Sequence, residues 1–250
     1  MQNYTSPWKI TVFSLFPEMF PGPLSHSLAG KASDRGIWEL ETLNIRDFAI
    51  DKHATVDDKP FGGGTGMVMR PDVLGNAIDH ALVHAPQMKL LYMSPRGKHF
   101  DQAMAFELIK QPHIGILCGR FEGIDERILE EYPFEEVSIG DYILSGGEIA
   151  ALVVMDACIR LLPGVIRSPD AIEEESFGTK DHYSGLLEYP HYTRPALWKD
   201  RSVPEILVSG HHQRVEDWRL AEAKRITSLR RKDLWERYRE NAIMGRRGQE

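Results

Sequence analysis

Four glycine-marked stretches hold the residues of this chain best suited to grip a ligand: Pro60–Met67, Ser94–Gly97, Cys118–Arg127 and Ser138–Glu148. Glycine adds no side chain and tolerates positive φ, so backbone there can approach a ligand or another chain closely. The first stretch, Pro60-Phe61-Gly62-Gly63-Gly64-Thr65-Gly66-Met67, is not a phosphate-binding loop, because no Gly-Lys-Ser/Thr follows. Met67 also stands where a dinucleotide fingerprint needs its third glycine, and alone the stretch reads as a tight turn. The other stretches each follow an apolar, strand-like run. Open α/β sheets bind ligands at the carboxyl ends of their strands. Singly, each of these loops is as consistent with an ordinary strand–helix connection; together they predict a pocket for a nucleoside-like ligand.

Two further groupings could do chemistry. Asp156 and Arg160 stand one helical turn apart and share a face, either as a structural ion pair or as working charges. The segment Gly185–Pro195 sets Tyr189, His191, Tyr192 and Arg194 between prolines, a mixture that suits stacked bases and phosphates as well as interdomain packing. His211-His212 has no metal-ligand spacing around it and reads as a turn or an RNA-facing surface.

The elements that must position these residues alternate over the first two thirds of the chain. Strands are predicted at Lys9–Leu15, Trp38–Ile45, Lys89–Ser94, Ile114–Gly119 and Glu136–Ile139. Helices are predicted at Pro71–Ala85, Asp101–Lys110 and Glu148–Leu162, the last almost wholly apolar and therefore expected to be buried. Such alternation predicts an α/β domain with a mostly parallel sheet covered on both faces. After Leu162 the pattern breaks into Pro163-Gly164, Ser168-Pro169-Asp170 and an acidic run, and a helical pattern resumes over about Arg214–Met244, anchored by Trp218, Ile226, Leu229, Leu234 and Trp235. The expected organisation is an α/β domain over 1–162, a linker over 163–185 and a small all-helical domain over 186–250.

Composition narrows the class. No run of eighteen apolar residues occurs, which excludes a membrane-spanning helix. The opening Met1-Gln2-Asn3-Tyr4 lacks the pattern of a secretory signal, and Cys118 and Cys158 fall inside predicted buried elements, so a cytoplasmic protein with reduced thiols is expected. The net charge of −7 is uneven: from His191 onward 14 Lys and Arg face 9 Asp and Glu, a local +5 that leaves −12 on the first 190 residues. A basic end joined to an acidic body is a weak sign of polyanion binding, since helix faces are routinely charged.

The order of the motifs closely resembles that of the TrmD family of tRNA (guanine-N1)-methyltransferases, in the SPOUT superfamily. The resemblance runs from Ser14-Leu15-Phe16-Pro17-Glu18-Met19-Phe20 through Arg46-Asp47-Phe48, Asp51-Lys52-His53 and Thr55–Asp58, then through Gly62–Met67, Gly119–Arg127, Ser138–Glu148, Pro190–Pro195 and Ser209–His212. It implies a deep trefoil knot at the end of the α/β domain, a feature that general rules of chain topology argue against. It also implies methyl transfer from S-adenosylmethionine to N1 of guanosine 37 in tRNA, beside the anticodon, by a homodimer whose active sites are shared between subunits. Carried over, the donor-binding residues are Tyr92, Ser94, Pro95, Gly119, Phe121, Glu122, Ile139, Gly140, Asp141, Tyr142, Ile143, Leu144, Gly146 and Gly147. The catalytic residues are Arg160, to stabilise charge on O6, and the carboxylate before Ser176-Phe177, to take the N1 proton.

That carboxylate departs from the family pattern. It is Glu175 where the family has Asp, and a longer spacer, Gly178–Ser184, separates Ser-Phe from Gly-Leu-Leu. The spacer contains Asp181, a second candidate for the base. The family further suggests a magnesium requirement, although the sequence displays no carboxylate cage. The competing readings are a related knotted methyltransferase with another RNA target and a non-catalytic RNA-binding module.

Overall fold

The computed structural model describes residues 6–166, 168, 172–173, 175–178 and 183–247, with side chains described as far as Asn241. The chain divides into two compact units, Met1–Arg167 and Ser168–Glu250.

The first unit runs β1 (Trp8–Ser14), α1 (Ser27–Asp34), β2 (Trp38–Asn44), β3 (Asp57–Asp58), β4 (Val68–Met69), α2 (Pro71–His84), β5 (Lys89–His99), α3 (Gln102–Leu108), β6 (His113–Leu117), α4 (Arg127–Glu131), β7 (Glu135–Ser138) and α5 (Glu148–Ile159). Five strands form one sheet in the order β2-β1-β6-β5-β7, and every pairing in it is parallel. β1 and β6 are buried along almost their whole length, as strands covered on both faces must be, which explains their continuous apolar runs.

α2 starts with Pro71 in its first turn, where the missing N–H costs nothing. Its buried Val73, Leu74, Ala77, Ile78 and Ala81 pack on Phe13, Leu90, Tyr92 and Leu117 of the sheet. α3 is capped by Asp101, whose carboxylate accepts from Met104 N at 2.8 Å. α3 and α5 meet where Cys158 Sγ approaches Ala105 O at 3.9 Å. Both cysteines are buried free thiols, and burial pushes their pKa values up, that of Cys158 to about 12.

The structure differs from the sequence reading at two places in this unit. β5 does not end at Ser94. It continues through Ser94-Pro95-Arg96-Gly97 to His99, with a register shift against β7 between Met93 and Lys98. Gly97 permits this bulge, because a Cβ there would lie 2.3 Å from the backbone of Glu136 and Val137. Nor is α5 buried all round: Ile149 and Val153 are 49% and 44% exposed, and Asp156 on the same stripe is exposed too.

The second unit is not all-helical as expected: it contains a short hairpin, β8 (Leu197–Trp198) with β9 (Arg201–Ser202), before α6 (Glu205–Val208), α7 (His212–Arg230) and α8 (Lys232–Arg247). Its core gathers Tyr183, Leu186, Tyr189 and Ala223, with Leu220, Trp235 and Tyr238 against them. The buried Thr227 hydroxyl accepts from Leu187 N at 2.9 Å and donates to Ala223 O at 2.7 Å, joining the incoming segment to α7. Where the sequence pattern reads as one helix, the backbone of Arg231 leaves the helical region (φ −135°, ψ 78°) and splits it into α7 and α8. Leu229, expected as an apolar anchor, is exposed next to this break. Among the described residues, no helix is long and apolar enough to cross a membrane.

Candidate functional site

A cavity of about 400 Å³ opens beside the loops that follow β6 and β7 and the bulged part of β5. Its lining includes Tyr92, Ser94 and Pro95 from β5, the first cavity segment, then Gly119, Phe121 and Glu122 from the loop after β6, the second cavity loop. The loop after β7, the third cavity loop, contributes Ile139, Gly140, Tyr142, Ile143, Leu144, Gly146 and Gly147. These are the sequence-predicted binding residues with one exception: Asp141 is exposed and lies outside the lining.

Space is tight at several of these glycines, against backbone at Gly147 and against a side chain at Gly119. Gly147 N donates to Gly119 O at 2.9 Å, and a Cβ on Gly147 would lie 2.7 Å from Cys118 Cα. A Cβ on Gly119 would fall 2.9 Å from the Tyr92 hydroxyl. Tyr92 is thus wedged under the loop, and its phenol pKa is raised, first by burial and next by the negative charge of Glu136. Phe121 holds a left-handed backbone (φ 59°) while remaining half-exposed on the cavity wall. Strain of that kind persists where surrounding structure over-determines it, and it clusters at ligand sites.

The Pro60–Met67 stretch is more than a free turn. Glu122 N donates to Met67 O and Met69 N to Gly123 O, both at 2.9 Å, so β4 is zipped to the second loop. A Cβ on Gly66 would collide with the Glu122 carboxyl at 2.3 Å. Gly66 therefore gives Glu122 the room to sit in the cavity wall.

The sequence reading passed over the pair that braces the site. Glu148, the first residue of α5, is 1% exposed, and its Oε1 accepts from Ser14 Oγ at 2.8 Å. Arg120 Nε lies 3.0 Å from Glu148 Oε2, while its N–H points to Oε1 at 3.1 Å. The same guanidinium donates to Ser145 O at 3.2 Å and covers the Phe16 ring at 4.4 Å. The Arg120–Glu148 pair thereby joins β1, the second loop and the third loop. The available signal was an acid directly after Gly146-Gly147 at the start of a helix, where a negative charge suits the macrodipole.

The two predicted catalytic residues fall in different units. Arg160 caps the C-terminal end of α5 in the first unit, roughly 15 Å along the axis from Ala150 on the cavity wall. Glu175 belongs to the second unit and is half-buried in a tight turn whose Gly178 N donates to Glu175 O at 2.8 Å. Ser176 Oγ accepts from Glu188 N at 3.0 Å, and Phe177 N donates to Leu186 O at 3.2 Å, so the turn is pinned to the segment before Tyr189. Asp181 lies outside the described residues. Among the described residues, no three His, Cys, Asp or Glu side chains gather as a metal-ligating cluster.

A family model described as tRNA (guanine-1)-methyltransferase TrmD matches residues 8–237 of this chain. A tRNA (guanine-N(1)-)-methyltransferase of Rhizorhabdus wittichii is 60% identical over 228 residues, covering 91% of each chain. The protein of the same name from Wolbachia pipientis wMel is 58% identical over 227 residues, 91% of this chain and 95% of the relative. That from Rhodospirillum rubrum is 56% identical over 230 residues, 92% of this chain and 93% of the relative.

Proposed function

Because the chain belongs to the tRNA (guanine-1)-methyltransferase TrmD family, we propose that it transfers a methyl group from S-adenosylmethionine to N1 of guanosine 37 in tRNA. The observation that carries this reading is the cavity whose wall combines glycine backbones, apolar side chains and one carboxylate. Its size falls in the range of about 300–1,000 Å³ typical of small-molecule sites. Ile139, Ile143 and Leu144 would hold the adenine, the backbone around Gly119 and Gly140 would approach the donor closely, and Glu122 would meet its polar groups. When bound, the donor supplies an electrophilic methyl group on a sulfonium centre. Among the described residues the lining offers Glu122 as its one carboxylate, which does not make a magnesium cage.

The chain's own part is to prepare the nucleophile. Guanine N1 carries a proton and attacks poorly until that proton leaves. Glu175 takes it as general base, and Arg160 stabilises the negative charge that then develops on O6. The target base must also leave its stack to reach the methyl donor.

Arg160 and the cavity sit at opposite ends of α5, which supports a homodimer in which Arg160 of one protomer serves the cavity of the other. The exposed Ile149 and Val153 on the same helix, and the exposed Ile143 just before it in sequence, give such a dimer apolar side chains to cover. The passage of Gly147 against the backbone of Cys118 supports the knotted topology, and the second unit, mostly helical with one hairpin, serves as the tRNA-binding domain of a cytoplasmic enzyme.

Incubation with methyl-labelled donor and unmodified tRNA, followed by mapping of the methylated position, tests the whole reading. Label at N1 of guanosine 37 is expected. Label on ribose, at another base, or only on ribosomal RNA would move the chain to a related reaction. The absence of any calorimetric signal with S-adenosylmethionine would leave a binding module.

A further inference from the structure

The β8–β9 hairpin is not accounted for by the donor cavity or by the two reacting residues. Its strands are two residues each, paired Leu197 to Ser202 and Trp198 to Arg201. Val203 N donates to Ala196 O at 3.0 Å and closes the base of the ladder. The turn is made by Lys199 and Asp200, both left-handed at φ 48° and 61°. Two-residue hairpin turns need such angles, but glycine or asparagine normally supplies them. The strained turn holds up two large apolar side chains that the described residues leave largely exposed: Leu197 is 61% and Trp198 59% exposed.

The surroundings of the indole are cationic. Lys199 Nζ lies 4.9 Å from the centroid of the Trp198 ring. Arg201 is the cross-strand partner of Trp198, and Arg194 precedes the hairpin, with Asp200 the one acid between Arg194 and Arg201. A displayed indole flanked by cations matches an unpaired nucleobase with its phosphates, since bases stack on aromatic faces and phosphates pair with Lys and Arg. A protein partner would be met by a surface core depleted of charge, which this hairpin does not offer.

We propose that this hairpin is a base-stacking contact for tRNA, with Trp198 as the platform and Lys199 and Arg201 on the adjoining phosphates. The proposal rests on tRNA being the substrate. It adds a contact that fixes how the RNA is held, separate from the chemistry at N1.

The test uses the full chain, an unmodified tRNA transcript with guanosine at position 37, and binding by fluorescence anisotropy across a salt series. Trp198→Ala is expected to weaken tRNA binding about 5- to 100-fold, as loss of one stacked base does. Trp198→Phe, which keeps an aromatic face, should stay within about threefold of the wild type. Arg201→Gln should reduce the slope of log affinity against log salt by about one. Calorimetric binding of S-adenosylmethionine should be equal in all of these proteins. Trp198→Ala binding tRNA within about twofold of the wild type would overturn the proposal, as would an equal loss in Trp198→Phe. If a protein partner instead depended on Trp198 while tRNA affinity did not, the hairpin would belong to that partner. In those cases a wild type that still methylates tRNA leaves the proposed function standing, whereas a wild type that binds no tRNA removes both.

Discussion

Arg120 and Glu148 meet with Nε 3.0 Å from Oε2, one residue at the start of the second cavity loop and the other at the first turn of α5. Glu148 is almost fully buried and the Arg120 side chain 20% exposed, so each would leave a poorly solvated charge if the other were removed. Breaking such a pair from one side costs about 3–5 kcal/mol. Glu148→Ala should therefore lower the denaturant stability of the first unit by that order. Arg120→Met should raise the Kd for S-adenosylmethionine at least about tenfold, because Ser145 O loses its tether and the third loop its position. Unchanged donor affinity in Arg120→Met would remove Arg120 from the positioning of the cavity.

Gly147 is limited by space and not by conformation. Its backbone (φ −78°, ψ −13°) suits any residue, but an added methyl would strike Cys118 Cα. Gly147→Ala should separate the two chain segments, destabilise the first unit by about 1–3 kcal/mol, and abolish calorimetric binding of S-adenosylmethionine. Wild-type affinity would mean that the segments part without disturbing the cavity.

If each active site draws Arg160 from the other protomer, two inactive chains should repair each other. Arg160→Ala keeps a sound cavity and Gly147→Ala keeps a sound arginine. Co-expressed and purified as a mixed dimer, they should recover methyl transfer that neither has alone. No recovery in a verified mixed dimer would place both groups in one protomer's site.

Glu175→Gln removes the base but not the shape of the turn. It should lower methyl transfer about 10²- to 10⁴-fold, with donor affinity unchanged. Asp181→Asn should leave the rate close to that of the wild type. The reverse pattern would transfer the role to the inserted spacer.

His113 supplies a pH dependence of stability. Its pKa is lowered, first by burial and then by the positive charge of Lys9, against an opposing pull from Glu41. The unfolded chain, with histidine near its ordinary pKa of about 6.5, then binds more protons than the folded one. Stability should fall as pH drops below about 6.5 and level off once the folded pKa is passed. His113→Gln should flatten that part of the curve, as read from denaturant midpoints between about pH 5 and 7. An unchanged slope would assign the acid sensitivity elsewhere.

Much of the first unit was legible because its strands are continuous apolar runs and its loops are marked by glycine. The parallel sheet and the cavity follow from those two signals. The bulge at Ser94–Gly97 was not legible, since Pro95 and Gly97 read locally as loop and become strand only through pairing with β7. The exposed stripe on α5 was hidden for the opposite reason: Ile149 and Val153 have the side chains of buried residues, and only the fold reveals that the described residues of their own unit leave them about half exposed. Arg120 and Glu148 stand far apart in sequence, and their union depends on two loops passing each other, which no local pattern records. The break at Arg231 is likewise a backbone event between two helical patterns that read as one.

α5 is, in effect, a rigid ruler. Its first turn is fixed to the cavity wall by Gly147 and Glu148, and its last carries Arg160, with an unbroken helix between them. Inserting a single residue into that helix would advance Arg160 by about 1.5 Å and swing it about 100° around the axis. The register of α5, more than the identity of its exposed side chains, therefore sets where its arginine points. Insertions and deletions should be tolerated far less than substitutions along its length.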